Sequence, residues 1–228
     1  QIYGVRFVED RGYVVTFRQV APFFTFDLKD PPRPPKVGEL KIPGFSSYIH
    51  PLSANHLLTI GTYIPENPTN GNSRALQLAI FDVSDLANPK QTHVQLVGTA
   101  NAWSEAQGEH KAFNYFAAKK LLAIPFSDWS YNYRTSDEYW SSFISDLRVF
   151  EVDPLAGFKP RGALSMRDVF QVSTYYNWSW YWTPQVRRSV MADDFVYAIS
   201  DAGIRVANIA DLTKPLATAY FERYVERF

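Results

Sequence analysis

Two segments of this 228-residue chain are rich in tryptophan and tyrosine, side chains that stack on sugars and bury well in protein interfaces. They are residues 127–143 and 168–185, and together with Trp103 they contain all six tryptophans. Both side chains offer a large, stiff surface that loses little conformational entropy on binding. We predict a ligand-contacting set that adds two arginines to the aromatic residues: Trp103, Trp129, Tyr133, Arg134, Trp140, Tyr176, Trp178, Trp180, Trp182 and Arg187. The alternative is that these rings pack on one another or on further parts of the protein.

Carboxylates in the same segments leave a catalytic alternative open. A glycosidase needs two carboxyl groups on either side of a sugar-binding cleft, and the candidates are Glu105, Asp128 and Glu138. Solvated loops also commonly contain such acids. The chain has no serine nucleophile elbow or glycine-rich phosphate loop, and its four histidines show no metal-ligand spacing. We therefore favour a non-catalytic module and expect no metal centre or cofactor.

Composition excludes several classes of protein. Lys plus Arg and Asp plus Glu each number 23, which argues against a nucleic-acid partner because such proteins normally carry a basic excess. No apolar stretch approaches the roughly 20 residues of a membrane span. The absence of cysteine excludes disulfides and thiol chemistry but leaves the compartment open.

A short element recurs four times along the chain. Phe26-Asp27-Leu28-Lys29-Asp30 returns as Phe81-Asp82-Val83-Ser84-Asp85, as Phe150-Glu151-Val152-Asp153 and as Ala207-Asn208-Ile209-Ala210-Asp211. Aspartate at such a position caps a tight turn by accepting hydrogen bonds from backbone amides. We interpret these aspartates as turn residues; the alternative is a structural calcium site built from Asp27, Asp82 and Asp153.

The sequence preceding each element predicts two strands joined by a polar turn. Alternating apolar residues mark these hairpins within residues 6–15, 48–60, 112–124 and 190–199. With the strand that ends in the repeated element and one more after it, each unit has four antiparallel strands. This is typical of a β-propeller blade. The last strands are predicted at residues 36–42, 92–97, 161–166 and 216–221. We predict an all-β propeller over residues 1–228, with blades at about 2–44, 45–98, 110–166 and 187–222.

The lengths of the connections are unequal. The long ones, 65–74, 99–109, 127–143 and 168–185, join second to third strands or one blade to the next. In a propeller these positions open on one face. Because long connections in compact domains commonly bind ligands, we expect the functional surface there.

Several segments resemble a known family. They are Val5-Arg6-Phe7, residues 11–18 and 38–48, Phe81–Asp85, Trp103–Ala106, His110–Phe113, Arg187–Ser189 and Ser200–Ile204. They are similar to secreted bacterial and archaeal proteins with a C-terminal β-propeller domain, distantly related to WD-repeat propellers. The resemblance implies an extracellular or cell-envelope location. It provides no activity and no catalytic residues that could be transferred to this chain. Members of that family are longer, which implies that the four blades are part of a larger ring, with further blades upstream or in another chain.

These observations lead to one preferred function and two alternatives. The preferred function is an exported, non-catalytic binding or structural module whose aromatic loops contact a glycan, a surface polymer or a protein. The first alternative is a polysaccharide hydrolase that uses loop carboxylates. The second is a subunit of a surface layer or filament.

Overall fold

The structure, a computed structural model, describes residues 2–16, 21–65, 74–129, 143–172 and 185–221. They form four antiparallel four-stranded sheets, in each of which consecutive strands are neighbours. We call these sheets blades 1 to 4, and the predicted β-propeller fold is confirmed.

The strands of blades 1 and 2 are β1 (Ile2–Val8), β2 (Arg11–Thr16), β3 (Ala21–Asp27), β4 (Lys36–Ile42), β5 (Phe45–Pro51), β6 (His56–Tyr63), β7 (Ala75–Asp82) and β8 (Lys90–Val97). Those of blades 3 and 4 are β9 (Asn114–Phe116), β10 (Leu121–Trp129), β11 (Phe143–Asp153), β12 (Gly157–Ser165), β13 (Val186–Ala192), β14 (Phe195–Ser200), β15 (Gly203–Asn208) and β16 (Asp211–Tyr220).

The predicted first hairpin of every blade is present. Two of the polar turns contain an acidic residue in the left-handed region, Glu9 with φ 51° and Asp193 with φ 50°. The corresponding turn of blade 3 is a 3-10 turn, Ala117–Lys119, closed by the left-handed Lys120. One short helix, α1 (Arg167–Val172), precedes blade 4. In the part of the chain that the structure describes, no helix combines the length and apolar character needed to cross a membrane.

The repeated aspartates form turns, as we predicted. The backbone amide of Lys29 donates to the Asp27 carboxylate at 3.0 Å, and that of Ser84 donates to Asp82 at 2.9 Å. In blade 3, the Leu155 amide donates to Asp153 at 2.9 Å. Asn208 takes this position in blade 4 and accepts from the Ala210 amide at 2.8 Å. In each blade, a local hydrogen bond thus stabilises the turn between the third and fourth strands. Its acceptor is Asp in blades 1 to 3 and Asn in blade 4.

By its contacts the chain divides into two compact units. The first contains residues 1–110 and 152–158, and the second contains residues 111–151 and 159–228. In the first unit, blades 1 and 2 share an apolar core in which the rings of Phe23 and Phe81 stack with centroids 4.8 Å apart. Arg11 of blade 1 also donates to the Ala54 and Val83 carbonyls of blade 2. Apolar packing, aromatic stacking and hydrogen bonds from the Arg11 and Thr25 side chains hold the two blades together.

The connection between blades 1 and 2 is very short. Only Pro43 and Gly44 separate β4 from β5. Gly44 has φ +81°, and a β-carbon there would lie 1.9 Å from the Thr62 carbonyl oxygen. Glycine is therefore required by both the backbone conformation and the available space.

The second unit has its own core between blades 3 and 4. Leu147 and Val149 of β11 pack with Val196, Ala198 and other buried residues of blade 4. Polar groups support this core at the inner strands, where the Asn114 side chain donates to the Ser189 carbonyl and hydroxyl oxygens at 3.1 Å each.

Several strands are longer than the sequence predicted, among them β10, β12 and β16. β10 continues through residues 127–129, which we had assigned to a loop, and these residues pair with β11 as far as Phe143. β12 begins at Gly157 instead of Arg161, and β16 begins at Asp211 instead of Leu216. Alternation of apolar and polar residues did not predict these extensions, because β10 ends in an aromatic residue and β12 and β16 contain prolines.

Candidate ligand-binding edge of blades 3 and 4

Residues 130–142 connect the ends of two paired strands. Trp129, the last residue of β10, lies opposite Phe143, the first residue of β11. The two ring centroids are 4.7 Å apart and the rings are tilted by 43°. Trp129 is half-buried, and its ring packs on that of Phe143. The first of the predicted contact residues is thus held by a strand and a neighbouring ring.

A serine pair joins this strand end to blade 4. The Ser127 hydroxyl donates to Ser145 Oγ at 3.3 Å, and the same oxygen accepts from the Val186 backbone amide at 3.0 Å. Val186 is the first residue of β13 and follows residues 173–184 by two positions. Strand ends that flank both aromatic segments thus lie at one edge of the second unit. We call this edge the blade 3–4 edge, and it contains Ser127, Trp129, Phe143, Ser145 and Val186.

Arg187 follows directly on this edge. Its Nε lies 3.2 and 3.1 Å from the two carboxylate oxygens of Asp201, and Asp201 also accepts from the Gln185 amide at 3.2 Å. The acid that pairs with Arg187, Asp201, lies in the β14–β15 turn. The Arg187 side chain retains 38% exposure. Asp201 therefore orients a guanidinium that still reaches solvent.

The three predicted catalytic carboxylates lie in different parts of the chain. Asp128 lies within β10, is 5% exposed, and accepts from the Trp129 amide at 2.8 Å. Glu105 lies in the first compact unit, and Glu138 lies outside the described residues. Of these candidates only Asp128 belongs to the described part of the second unit, and it is buried.

A buried carboxylate that the sequence analysis missed lies nearby in β11. Asp146 is 7% exposed, and burial raises its pKa, while the neighbouring Arg148 acts in the opposite direction. The Arg148 guanidinium lies 3.3 Å from the Asp146 carboxylate and over the Phe126 ring at 4.4 Å. The signal that could have identified this pair is an acid two residues before an arginine in the strand that ends in the repeated element.

Trp103 belongs to a separate structure in the first unit. It precedes a single 3-10 turn, Glu105–Gln107, which the Ser104 hydroxyl caps by accepting from the Ala106 amide at 3.2 Å. The Gln107 side chain donates to the Gly61 carbonyl at 3.2 Å and to the Thr62 hydroxyl at 3.0 Å. These bonds fix the segment on β6 and leave Trp103 half-buried.

Several predicted contact residues fall outside the described residues. They are Tyr133, Arg134 and Trp140 in the first aromatic segment, and Tyr176, Trp178, Trp180 and Trp182 in the second. Their participation in binding stays a prediction.

Asp27, Asp82 and Asp153 each serve the turn of their own blade through the hydrogen bonds given above. Among the described residues there is no group of three or more acidic or histidine side chains that could hold a metal ion. The calcium alternative therefore has no support in the described geometry.

A depression of about 420 Å³ lies between the first hairpin turns of blades 1 and 2. It is lined by Glu9, Asp10 and Arg11 from blade 1 and by residues 51–54 from blade 2. Arg11 already donates to two backbone carbonyls there. Its charge serves blade packing, and we do not assign a ligand to this depression.

Comparison with known proteins gives relatives in archaea. An uncharacterized protein of Archaeoglobus fulgidus is 39% identical over 137 residues, which are 60% of this chain and 20% of that protein. The uncharacterized protein MJ1554 of Methanocaldococcus jannaschii is 34% identical over the same length and the same shares. The match thus spans about a fifth of the length of each of these curated relatives.

Solved structures are more distant. YjhT is similar with a TM-score of 0.44 and 8% identity, over 98% of this chain and 66% of that one. An ACO/RPE65 chimera is similar with a TM-score of 0.38 and 10% identity, over 92% of this chain and 46% of that one. The model of the beta propeller domain family matches residues 1–212, and the chain belongs to that family.

Proposed function

We propose that this protein is an exported, non-catalytic binding module that contacts a glycan through the blade 3–4 edge. The observation that carries the proposal is the junction of Trp129, Ser145, Val186 and Arg187. Hydrogen bonds and a ring contact hold these residues together, and both aromatic segments meet the described framework there. A rigid edge of this kind can present aromatic rings with little loss of conformational freedom on binding.

The chemistry of the edge suits a sugar ligand. The apolar faces of pyranose rings pack on Trp side chains, and the partly exposed Arg187 can donate hydrogen bonds to hydroxyl or carboxylate oxygens. The Asp201 carboxylate offsets the Arg187 charge. We therefore expect neutral or weakly acidic glycans to bind, since an uncompensated basic surface would instead favour polyanions.

Location and assembly are parts of the same proposal. Resemblance to exported families supports an extracellular or cell-envelope location, and the greater length of the archaeal relatives supports a larger ring to which other blades contribute. Fractionation of source cells with an antibody to the chain tests the location. Recovery of the protein only from the cell interior would contradict it.

The binding proposal is tested with a glycan array and a panel of soluble polysaccharides. Trp129→Ala combined with Trp140→Ala should weaken binding by roughly tenfold or more, as expected when two stacking rings are lost from a site. Tyr220→Ala is the matched control, because Tyr220 is an aromatic residue of the outermost strand of blade 4 and is 52% exposed. Trp140→Ala alone covers the case in which loss of the Trp129–Phe143 contact impairs folding.

Binding that survives the double substitution would contradict the proposed site. If no glycan binds and a protein partner is captured instead, the glycan proposal fails. Release of reducing ends from a bound polysaccharide would contradict the non-catalytic role and favour the hydrolase alternative.

A further inference from the structure

The first strands of blades 1 and 2 lie close together in the first unit. A β-carbon at Gly4 of β1 would come within 3.3 Å of the Ser46 and Ser47 carbonyl oxygens of β5. The rings of Tyr3 and Phe45 are also in contact, with their centroids 4.7 Å apart. These contacts bring the polar side chains that follow along β1 and β5 into the same region.

Arg6 lies two residues beyond Gly4, on the side of β1 that faces blade 2. In the strand register it is opposite Tyr13, which belongs to the apolar core that blades 1 and 2 share. The residues on this side of β1, Gly4, Arg6 and Val8, are more buried than those that alternate with them. The surroundings of Arg6 therefore depend on blade 2, which the chain contains, and not on what precedes blade 1.

The Arg6 guanidinium carries a hydrogen-bond donor that the described protein does not satisfy. Its Nε is buried and has no hydrogen-bond partner among the described residues. Arg148 has a buried Nε of the same kind, but the Asp146 carboxylate lies 3.3 Å from another nitrogen of that guanidinium. The ion pairs of the described residues include none with Arg6. Because a charge withdrawn from water without a counter-charge is unfavourable, this position favours an anion.

His50 of β5 provides a second group that can carry positive charge. It is half-buried, and burial lowers its pKa, while the positive charge of Arg6 acts on the imidazole in the same direction. The ring of Tyr48 is a neighbour, with its centroid 6.4 Å from that of His50. Arg6 and His50 thus act on each other from two adjacent strands, and an anion bound between them would favour the protonated imidazole.

We propose that Arg6 and His50 form a binding site for a small oxyanion, a carboxylate or a phosphate-type group. The planar guanidinium presents paired N–H donors that match two oxygens of such an anion. A protonated imidazole can donate a further hydrogen bond to it. The site lies in the first unit and uses no residue of the blade 3–4 edge, so its failure would leave the glycan proposal intact.

The imidazole signals of the four histidines in NMR spectra test this proposal. Spectra are recorded against pH in sodium sulfate or sodium acetate and compared with spectra in sodium chloride at equal ionic strength. Sulfate stands for tetrahedral phosphate-type groups and acetate for carboxylates. A bound anion should raise the pKa of His50 above its value in chloride, because it favours the charged imidazole. His50→Gln assigns the signal, and the signal of the exposed His110 should respond equally to all three salts.

Arg6→Gln should weaken anion binding by roughly tenfold or more, because both the positive charge and the paired donors are lost. Arg33→Gln is the matched control, since Arg33 is an exposed arginine of the same blade, and it should bind as the wild type does. Circular dichroism checks that each variant is folded. If Arg6→Gln does not fold, Arg6→Lys replaces it; it keeps the charge without the paired donors and should also bind more weakly than the wild type.

The pattern of responses identifies the ligand. A response of His50 to sulfate alone supports a phosphate-type ligand, a response to acetate alone supports a carboxylate, and a response to both supports a general oxyanion site. The proposal is overturned if neither anion changes the His50 signal relative to chloride. It is also overturned if the folded Arg6 variant responds as strongly as the wild type, since the anion would then be bound elsewhere.

Discussion

Arg205 donates two hydrogen bonds of 2.6 Å to the two carboxylate oxygens of Asp168, one from each terminal nitrogen. The arginine side chain is 7% exposed and projects from β15, whereas Asp168 lies in α1, 37 residues earlier in the chain. The same guanidinium also donates to the Ser165 carbonyl and the Thr218 hydroxyl. This contact ties the only described helix to blade 4, just before residues 173–184 begin.

Asp168→Asn should lower the free energy of unfolding by about 1–2 kcal/mol, because a nearly buried guanidinium loses its charged acceptor while keeping its neutral ones. Urea denaturation followed by tryptophan fluorescence measures the change. Asp193→Asn is the control, since it also removes one exposed acid. Equal stabilities of the two variants would show that the bidentate pair contributes nothing.

The same pair predicts a pH dependence. Hydrogen bonding to Arg205 lowers the pKa of Asp168 below its usual 3.8. A carboxyl group with a lowered pKa in the folded protein stabilises it above the unfolded pKa, and this contribution is lost as pH falls through the folded pKa. The stability difference between wild type and Asp168→Asn should therefore be constant near neutral pH and shrink below about pH 4. A difference unchanged under acidic conditions would contradict this assignment.

His50 should make the protein less stable in mild acid. Burial lowers its pKa from the ordinary 6.5, and the nearby Arg6 acts in the same direction. Below about pH 6.5 the unfolded chain binds the proton more readily, so stability falls as pH decreases. His50→Gln should show a smaller loss of stability between about pH 7.5 and about pH 5.5 than the wild type. His110→Gln, at an exposed histidine, is the comparison, and an identical pH slope in all three proteins would refute the prediction.

Two glycine substitutions should differ sharply in effect. A β-carbon at Gly38 would lie 2.2 Å from the Leu86 carbonyl oxygen and 2.7 Å from Thr25 Oγ1, whereas one at Gly108 meets nothing within 4 Å. Gly38→Ala should thus separate blades 1 and 2 and cost about 2 kcal/mol or more. Gly108→Ala should be close to neutral in thermal denaturation. Similar melting temperatures for both variants would show that β4 shifts without cost.

The turn aspartates should be replaceable by asparagine but not by alanine. Asp82→Ala removes the acceptor for the Ser84 amide and should cost about 0.5–1.5 kcal/mol in chemical denaturation. Asp82→Asn keeps an oxygen acceptor, as Asn208 does in blade 4, and should stay within about 0.5 kcal/mol of the wild type. A loss of stability as large with asparagine as with alanine would mean that charge, and not the turn geometry, matters at this position.

Local features of the fold could be predicted from the sequence, since neighbouring residues determine them. The amide bond to Asp27 and the alternation of Tyr13 and Val15 each involve residues close together in the chain. The Arg205–Asp168 contact could not be predicted in this way, because only blade packing brings these residues together. Trp129 was assigned to a loop because its segment is aromatic, yet its pairing with Phe143 extends β10.

For the candidate site, the sequence identified residue types but not their arrangement. Trp129 and Arg187 were both predicted as contact residues, and the bond between Ser145 and the Val186 amide brings their strands together. Neither serine of that junction carried a sequence signal. Asp128 was considered as a catalytic acid because it lies in one of the two aromatic segments predicted to be loops, but its position in a strand buries it.

The two-residue connection at Pro43 and Gly44 limits how this lineage can diversify. No side chain fits at Gly44, and an inserted residue there would disturb the stacking of Phe23 on Phe81. The connection from blade 2 to blade 3 and that from blade 3 to blade 4 span more than a dozen residues each. These two junctions have room for insertions and deletions, whereas an insertion between blades 1 and 2 would disturb their shared core.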